Sequence, residues 1–298
     1  MWSHKYTKNG MITQPLMVGI LCSRVRVEEK ALFEALRRRA IPFERLDEDR
    51  IKFAIGSPFP HPGVVLDRSI HHGRSLYALT LLNAARVPTV NRAKVARICG
   101  DKILTTAALA RAGLPVPKTV VTFTRESALE AIEAMGYPVV LKPMVGSWGR
   151  LLAKINDRDA AEAVLEHKET LGSYQHGIFY IQEYVNKPQR DIRAIVVGEQ
   201  TIGAIYRSSD HWITNTARNG RASICEVTPE IDQLCQKAAA AVGGGFLSID
   251  LLEHEDGLMV NELNYTPEFH GFMDATGIPV ADHVIEYVQQ VGERQAVA

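Results

Sequence analysis

Residues 246–266, FLSIDLLEHEDGLMVNELNYT, put one carboxylate and a carboxylate–amide pair on two short runs joined by a turn. The run 246–252 alternates around Asp250, Glu255-Asp256-Gly257 supplies the turn, and 258–263 returns, so the spacing predicts a β-hairpin. Glu262 and Asn264 stand two apart and share one face of the return strand. Three oxygen donors side by side suit a hard divalent cation such as Mg²⁺, which favours carboxylates and phosphate oxygens. The same spacing also fits a hairpin whose polar face is simply solvated.

Other residues bear on that choice. Lys142 ends the apolar run Val139-Val140-Leu141, and a lysine in a buried β context needs an anionic partner such as phosphate. Residues 144–150, Met-Val-Gly-Ser-Trp-Gly-Arg, form a glycine-bearing turn between two predicted strands. It lacks the Gly-Lys-Ser/Thr ending of a Walker loop, yet its N–H groups could close over phosphates, since glycine permits close approach. An ordinary hairpin is the plainer reading of that turn taken alone. Ile181-Gln182-Glu183-Tyr184-Val185 alternates, and offers a carboxylate and backbone groups suited to a ribose hydroxyl and an adenine edge; any edge strand would do as much. Arg193 and Arg207 lie on successive strands among apolar neighbours, and buried arginines need anions. Asn215, Arg218 and Asn219-Gly220 form a polar loop able to grip a phosphoryl oxygen. This inventory fits phosphoryl transfer, in which positioning and charge neutralisation do most of the catalysis. No Ser-His-Asp arrangement stands out.

The elements that must position these groups fall into three expected lobes behind a polar tail, residues 1–14. Residues 15–95 alternate strands (16–22, 43–46, 64–66, 87–90) with helices (28–39, 76–85), which predicts an open α/β lobe. Ligands of such lobes gather at the carboxyl ends of strands, where Arg24, Arg68 and Arg74 fall; each could bind a carboxylate or stand on the surface. The central lobe, 96–186, holds a helix over 101–112, a strand over 118–123, a helix opened by a Ser127–Glu130 capping box, strands over 137–143 and 151–155, a helix over 159–167 and a strand over 179–185. The last lobe, 187–298, has strands over 192–197, 201–206 and 224–227, a helix over 230–242 ended by Gly243, the hairpin, and a helix over 280–290.

The 298 residues are 46% hydrophobic and 23% charged, which is ample for a core. Net charge is zero, so nothing advertises nucleic acid or a membrane surface; the run Arg37-Arg38-Arg39 reads as a solvated helix end. Cys22, Cys99, Cys225 and Cys235 form no Cys-x-x-Cys pair. No signal-like N-terminus or membrane-spanning run is present, which points to a cytoplasmic protein with reduced thiols.

The order of these parts resembles the ATP-grasp superfamily over nearly the whole chain. The segments Cys-Gly-Asp-Lys102, VVLKP, GSWGRLLAK, FYIQEYV, Asp191-Ile-Arg193, HWITNTAR and NELNYTPEF are similar to its RimK-like branch, in particular to the LysX ligases that act on the carrier protein LysW. The resemblance implies an α/β ATP-grasp fold in which Lys102 and Lys142 hold ATP phosphates. The lid of Gly146, Ser147, Trp148, Gly149 and Arg150 closes over them, while Gln182, Glu183, Tyr184, Val185 and Asp191 contribute to the nucleotide site. Asp250, Glu262 and Asn264 would hold two Mg²⁺ ions, with Mn²⁺ as the substitute cation. Arg193, Arg207 and Asn215 would stabilise an acyl phosphate formed on the side-chain carboxylate of the carrier's C-terminal glutamate. Attack by an amino acid's α-amino group would give an isopeptide bond, ADP and phosphate. Arg24, Arg68, Arg74, Thr216, Ala217, Phe269, Gly271 and Phe272 would be substrate-side residues. The implied partners are an acidic LysW-like carrier and a small acidic amino acid, with the enzyme a dimer or tetramer. After Glu268-Phe269 the chain reads His-Gly-Phe-Met-Asp and departs from the lysine-pathway pattern, which leaves α-aminoadipate and glutamate both open as substrates. A RimK-like ligase adding glutamate to another protein, and a non-catalytic nucleotide-binding protein, are the competing readings.

Overall fold

The computed structural model describes residues 16–60, 63–146, 150–172, 177–214 and 220–296, which form two compact units. The tail 1–14 lies outside them.

The first unit, residues 1–93 with 279–298, is built on a parallel sheet ordered β2-β1-β3-β4: β1 Val18–Cys22, β2 Phe43–Asp47, β3 Val64–Asp67 and β4 Thr89–Val90. β1 and β3 are buried throughout, as expected of central parallel strands covered on both faces. Helix α1 (Val27–Arg38) buries Leu32, Ala35 and Leu36, and α2 (His72–Ala84) buries Ala78, Leu79 and Leu82. The last helix, α9 (Val280–Ala296), belongs to this unit, although the sequence order assigned it to the C-terminal lobe. Its apolar side (Val284, Ile285, Val288) is buried, and Arg38 of α1 and its C-cap Arg39 pair with Asp282 at 2.7 and 3.4 Å. The basic run is thus an inter-helix clamp as well as a helix end.

The second unit, residues 94–278, holds two antiparallel sheets. One is ordered β5-β8-β6-β7, from β5 Thr119–Thr122, β6 Val139–Lys142, β7 Ala153–Ile155 and β8 Phe179–Glu183. Helices α5 (Arg125–Met135) and α6 (Arg158–Leu171) join it through Ala128, Ile132, Ala161, Leu165, Phe179 and Ile181. α5 begins earlier than expected: the cap is Thr124, whose Oγ1 accepts the Ser127 N–H at 3.2 Å. Thr124 and Ser127 are both good caps, and the earlier one adds a turn of helix.

The other sheet is ordered β11-β10-β9-β12-β13: β9 Arg190–Val197, β10 Gln200–Ser208, β11 Arg221–Cys225, β12 Phe246–His254 and β13 Gly257–Asn264. Helix α7 (Pro229–Val242) packs on it and ends at Gly243 in the left-handed conformation. Helix α4 (Lys102–Arg111) is capped by Asp101, whose carboxylate accepts the Ile103 and Leu104 N–H groups. Two short helices, α3 (Ala93–Cys99) and α8 (His270–Thr276), were not foreseen. α8 packs over β10 and β11, where Gly203 leaves the room: a Cβ there would fall 2.6 Å from Ile278 Cδ1 and 2.9 Å from Phe272 Cζ. No helix among the described residues is long and apolar enough to cross a membrane.

Candidate active site

The hairpin forms as the alternation requires, and its register pairs Asp250 with Glu262 and Ser248 with Asn264. A bulge follows immediately: Leu251 faces Val260, so Asn261 is the extra residue. Strict alternation would send Asn261 away from Glu262, but here both meet lysines. Lys142, at the end of β6, donates from Nζ to Asn261 Oδ1 at 2.9 Å. Lys102, the first residue of α4, donates from Nζ to Glu262 Oε1 at 2.8 Å and to the Gly146 carbonyl at 3.0 Å. Burial lowers the Lys142 pKa to about 8, against the opposing pull of Glu262.

Beside the hairpin lies a ladder of forked ion pairs. Arg193 on β9 donates from Nε and a terminal nitrogen to both Asp250 oxygens at 2.8 Å. Arg207 on β10 grips both Asp191 oxygens at 2.6 and 2.8 Å and reaches Asp250 at 3.0 Å. The register makes this possible, because Asp250 faces Arg193 and Arg207 faces Asp191 across adjacent strands. Burial opposes the charge on Asp250, but the two guanidiniums outweigh it and hold its carboxyl far below the usual carboxylate range. Burial likewise opposes the Arg207 charge, and Asp250 and Asp191 raise its pKa nonetheless.

At the carboxyl end of β8, Gln182 is buried and donates to Tyr180 Oη at 3.0 Å and Thr119 Oγ1 at 3.3 Å. Glu183 accepts the Lys118 N–H at 2.6 Å, so the carboxylate expected to face a ribose braces the start of β5. Tyr184 lies under Lys154, with Nζ 3.6 Å from the ring centroid, and its edge meets Trp212. Val185 is buried.

Residues 99–288 match the RimK-like ATP-grasp domain, and residues 18–98 the LysX preATP-grasp domain. The chain belongs to the RimK-like ATP-grasp family. It is 37% identical to a glutamate–LysW ligase, ArgX, of Sulfurisphaera tokodaii over 278 residues, 92% of this chain and 99% of that one. It is 33% identical to an α-aminoadipate–LysW ligase, LysX, of the same organism, again over 92% and 99%. A RimK domain ATP-grasp protein from Sphaerobacter thermophilus superposes with a TM-score of 0.78 at 27% identity, covering 91% of this chain and 98% of that structure. ATP-grasp ligases use ATP and a divalent metal. The donor set on the hairpin fits such a metal: Asp250 and Glu262 offer hard oxygens from cross-strand partner positions, and Asn264 lies two residues on from Glu262.

The ATP-grasp residues foreseen from sequence are thus partly gathered. Lys102, Lys142, Asp191, Arg193, Arg207, Asp250 and Glu262 belong to one hydrogen-bonded neighbourhood on and around the five-stranded sheet. Asp191, expected at the nucleotide, is 6% exposed and spends both oxygens on Arg207. Gly146 and Arg150 are exposed, whereas Ser147, Trp148, Gly149, Asn215, Thr216 and Ala217 lie outside the described residues. Phe269 and Phe272 are core side chains, Phe269 packing edge-on against Phe246, and Gly271 is half-buried between them in sequence. In the first unit Arg24 is exposed, and Arg74 is bound to Asp49 at 2.6 Å. Arg68 is fully buried, its Nε 3.0 Å from Glu29, which α1 contributes together with the Arg26 fork. The sequence reading missed Asn261, Lys187 and Thr214. Asn261 stood inside the quoted NELN motif and Thr214 inside HWITNTAR, both without a role of their own; Lys187 carries no local signal.

Proposed function

We propose that this chain is an ATP- and Mg²⁺-dependent ligase that joins the side-chain carboxylate of the C-terminal glutamate of a LysW-type carrier protein to the α-amino group of an acidic amino acid. The observation that carries this reading is the convergence of Lys102 and Lys142 on Glu262 and Asn261, beside the Arg193–Asp250–Arg207 ladder. The lysines are placed to hold nucleotide phosphates, and the hairpin oxygens to hold two metal ions. The bound metal supplies charge neutralisation on the transferring phosphoryl group. Arg193 and Arg207 supply fixed positive charge where an acyl phosphate and then a tetrahedral oxyanion carry negative charge, already oriented by Asp250 and Asp191. No side chain need act as a covalent nucleophile, which agrees with the absence of a Ser-His-Asp arrangement from the sequence.

Glutamate is the first choice of amino acid, because the glutamate–LysW ligases match 92% of the chain at 36–37% identity. α-Aminoadipate is the second, supported by a LysX of Saccharolobus solfataricus that is 38% identical over 223 residues. The two differ by one methylene, worth about 1–3 kcal/mol of discrimination. The test is ADP release with Mg²⁺–ATP, a carrier ending in glutamate and each amino acid in turn. Release is expected only when both carrier and amino acid are present, and Glu262→Ala is expected to abolish it. Turnover that ignores the carrier would overturn the proposal, as would a Glu262→Ala protein of undiminished activity.

A further inference from the structure

Lys187 and Thr214 have no part in the reading above, yet they meet behind Arg207. Lys187 lies in the connection from β8 to β9, and Thr214 in the segment after β10. The Lys187 ammonium donates to Thr214 Oγ1 at 2.6 Å, and that hydroxyl donates its one hydrogen bond to Asp191 Oδ2 at 2.5 Å. Lys187 Nζ itself stays 3.9 Å from Asp191 Oδ2. Thr214 is 2% exposed and the Lys187 side chain 11%, so water has little access to either.

The oxygen on which Thr214 bonds is contested. Asp191 Oδ2 also accepts the terminal nitrogen of Arg207, which in turn reaches Asp250 at 3.0 Å. An ammonium in direct contact with Asp191 would compete for that oxygen. Burial lowers the Lys187 pKa, and a poorly hydrated ammonium seeks the strongest acceptor in reach. The threonine hydroxyl gives it a neutral acceptor one step short of the carboxylate.

We infer that Thr214 is a positioning residue: its hydroxyl holds Lys187 off Asp191, reserves that carboxylate for Arg207, and so fixes where the Arg207 guanidinium lies against Asp250. Valine at 214 fills a similar volume but offers no acceptor. Lys187 then closes on Asp191, and the Arg207 fork is displaced. Serine keeps the hydroxyl and should keep the arrangement. Removing the competitor should repair the valine variant, a result that simple loss of packing at position 214 does not give.

Two measurements test this. A crystal structure of Thr214→Val should show Lys187 Nζ in direct contact with Asp191 and Arg207 moved off it. An Arg207 fork still at 2.6 and 2.8 Å would overturn the inference. Steady-state kinetics should show kcat lowered roughly tenfold to hundredfold in Thr214→Val, as for a misplaced charge-stabilising group. The KM for ATP should stay within about threefold, and Thr214→Ser should resemble the unmodified protein. The double variant Thr214→Val/Lys187→Met should regain at least about fivefold of the lost kcat, a non-additivity expected only of coupled residues. A serine variant as impaired as the valine one, or a double variant worse than Thr214→Val alone, would overturn it. The kinetic arm rests on the proposed ligase activity and the crystallographic arm does not, so an inactive unmodified protein would refute the activity while the geometry still decides the role of Thr214.

Discussion

Replacing Asp250 by asparagine tests how far the sheet depends on its central carboxylate. Asp250 is 4% exposed and accepts three charge-assisted hydrogen bonds, two from Arg193 at 2.8 Å and one from Arg207 at 3.0 Å. Hydrogen bonds to charged groups contribute about 1.5–3 kcal/mol each, which gives a gross value of roughly 4.5–9 kcal/mol. Not all of this is lost. Asparagine keeps one acceptor oxygen, and Arg207 keeps its fork on Asp191. The loss therefore falls on Arg193, whose side chain is 18% exposed and recovers some hydration. Breaking one side of a buried pair costs about 3–5 kcal/mol, and partial exposure of Arg193 selects the lower end, about 3 kcal/mol. Hydrogen exchange of the β9 and β12 amides, followed by mass spectrometry, reads this without assuming that the whole chain unfolds in one step. Protection in those strands should fall by about 3 kcal/mol while β5 and β8 are little changed. A decrease below about 1 kcal/mol would show that Asp250 is not the anion that holds Arg193, and the electrostatic account of the site would fail. The pH dependence has a fixed sign. A carboxyl held below its ordinary pKa stabilises the fold above that ordinary value and loses this contribution as pH falls towards the depressed one. Acid should therefore destabilise the unmodified protein more than Asp250→Asn.

Three further outcomes are expected. Gly203→Ala brings a methyl within 2.6 Å of Ile278 and 2.9 Å of Phe272, and should destabilise by about 1–3 kcal/mol in chemical denaturation. Arg68→Met leaves Glu29 buried with the Arg26 fork alone, and should cost about 3 kcal/mol in exchange protection of β1 and β3; an unchanged fold with weakened substrate binding would instead make Arg68 a substrate-side group. Lys142 titrates at about 8, so above that pH the nucleotide-free protein must take up a proton to present its ammonium. ATP affinity measured by calorimetry should fall about fivefold between pH 8 and 9, and Lys142→Arg should remove this dependence. The same depression makes the Lys142 charge a constant cost to folding below pH 8, relieved as pH rises towards 10.5.

The strands around the site were legible because their apolar runs are short and bounded by turn residues, as at Val139–Lys142 and in the 246–264 hairpin. α3 and α8 were not, since seven residues hold too few turns to show a period. The partner of α9 is decided by packing alone, because nothing in its own sequence says which sheet it covers. The chemistry divides in the same way. Residue type and strand position singled out Lys142, Arg193, Arg207 and Asp250, but not the pairing that makes Asp191 a support for Arg207. Nor did they reveal that Arg68, a few residues from exposed Arg74, is sealed against Glu29. Around the hairpin such pairings join residues as far as 160 positions apart and leave no local trace.

Among the described residues, the charges joined by the contacts of the site do not cancel. Lys102, Lys142, Lys187, Arg193 and Arg207 face Asp191, Asp250 and Glu262 through the contacts described, five cationic groups to three carboxylates. The two lysines with the weakest anionic contact are the ones whose pKa values burial lowers: Lys142 rests on an amide, and Lys187 on a hydroxyl. Lys142 thus rests on a neutral acceptor that an anion can replace at small cost, whereas the hydroxyl under Lys187 keeps it off Asp191. Lys102 differs, since its ammonium is paired with the Glu262 carboxylate at 2.8 Å; on the proposed reading a phosphate would have to draw it from Glu262, and a cation held by Glu262 would lower the cost of that exchange. On the proposed ligase reading a nucleotide and its metal would therefore assist each other's binding on this sheet, Lys102 being the residue to meet the phosphate and Glu262 the one to take the cation.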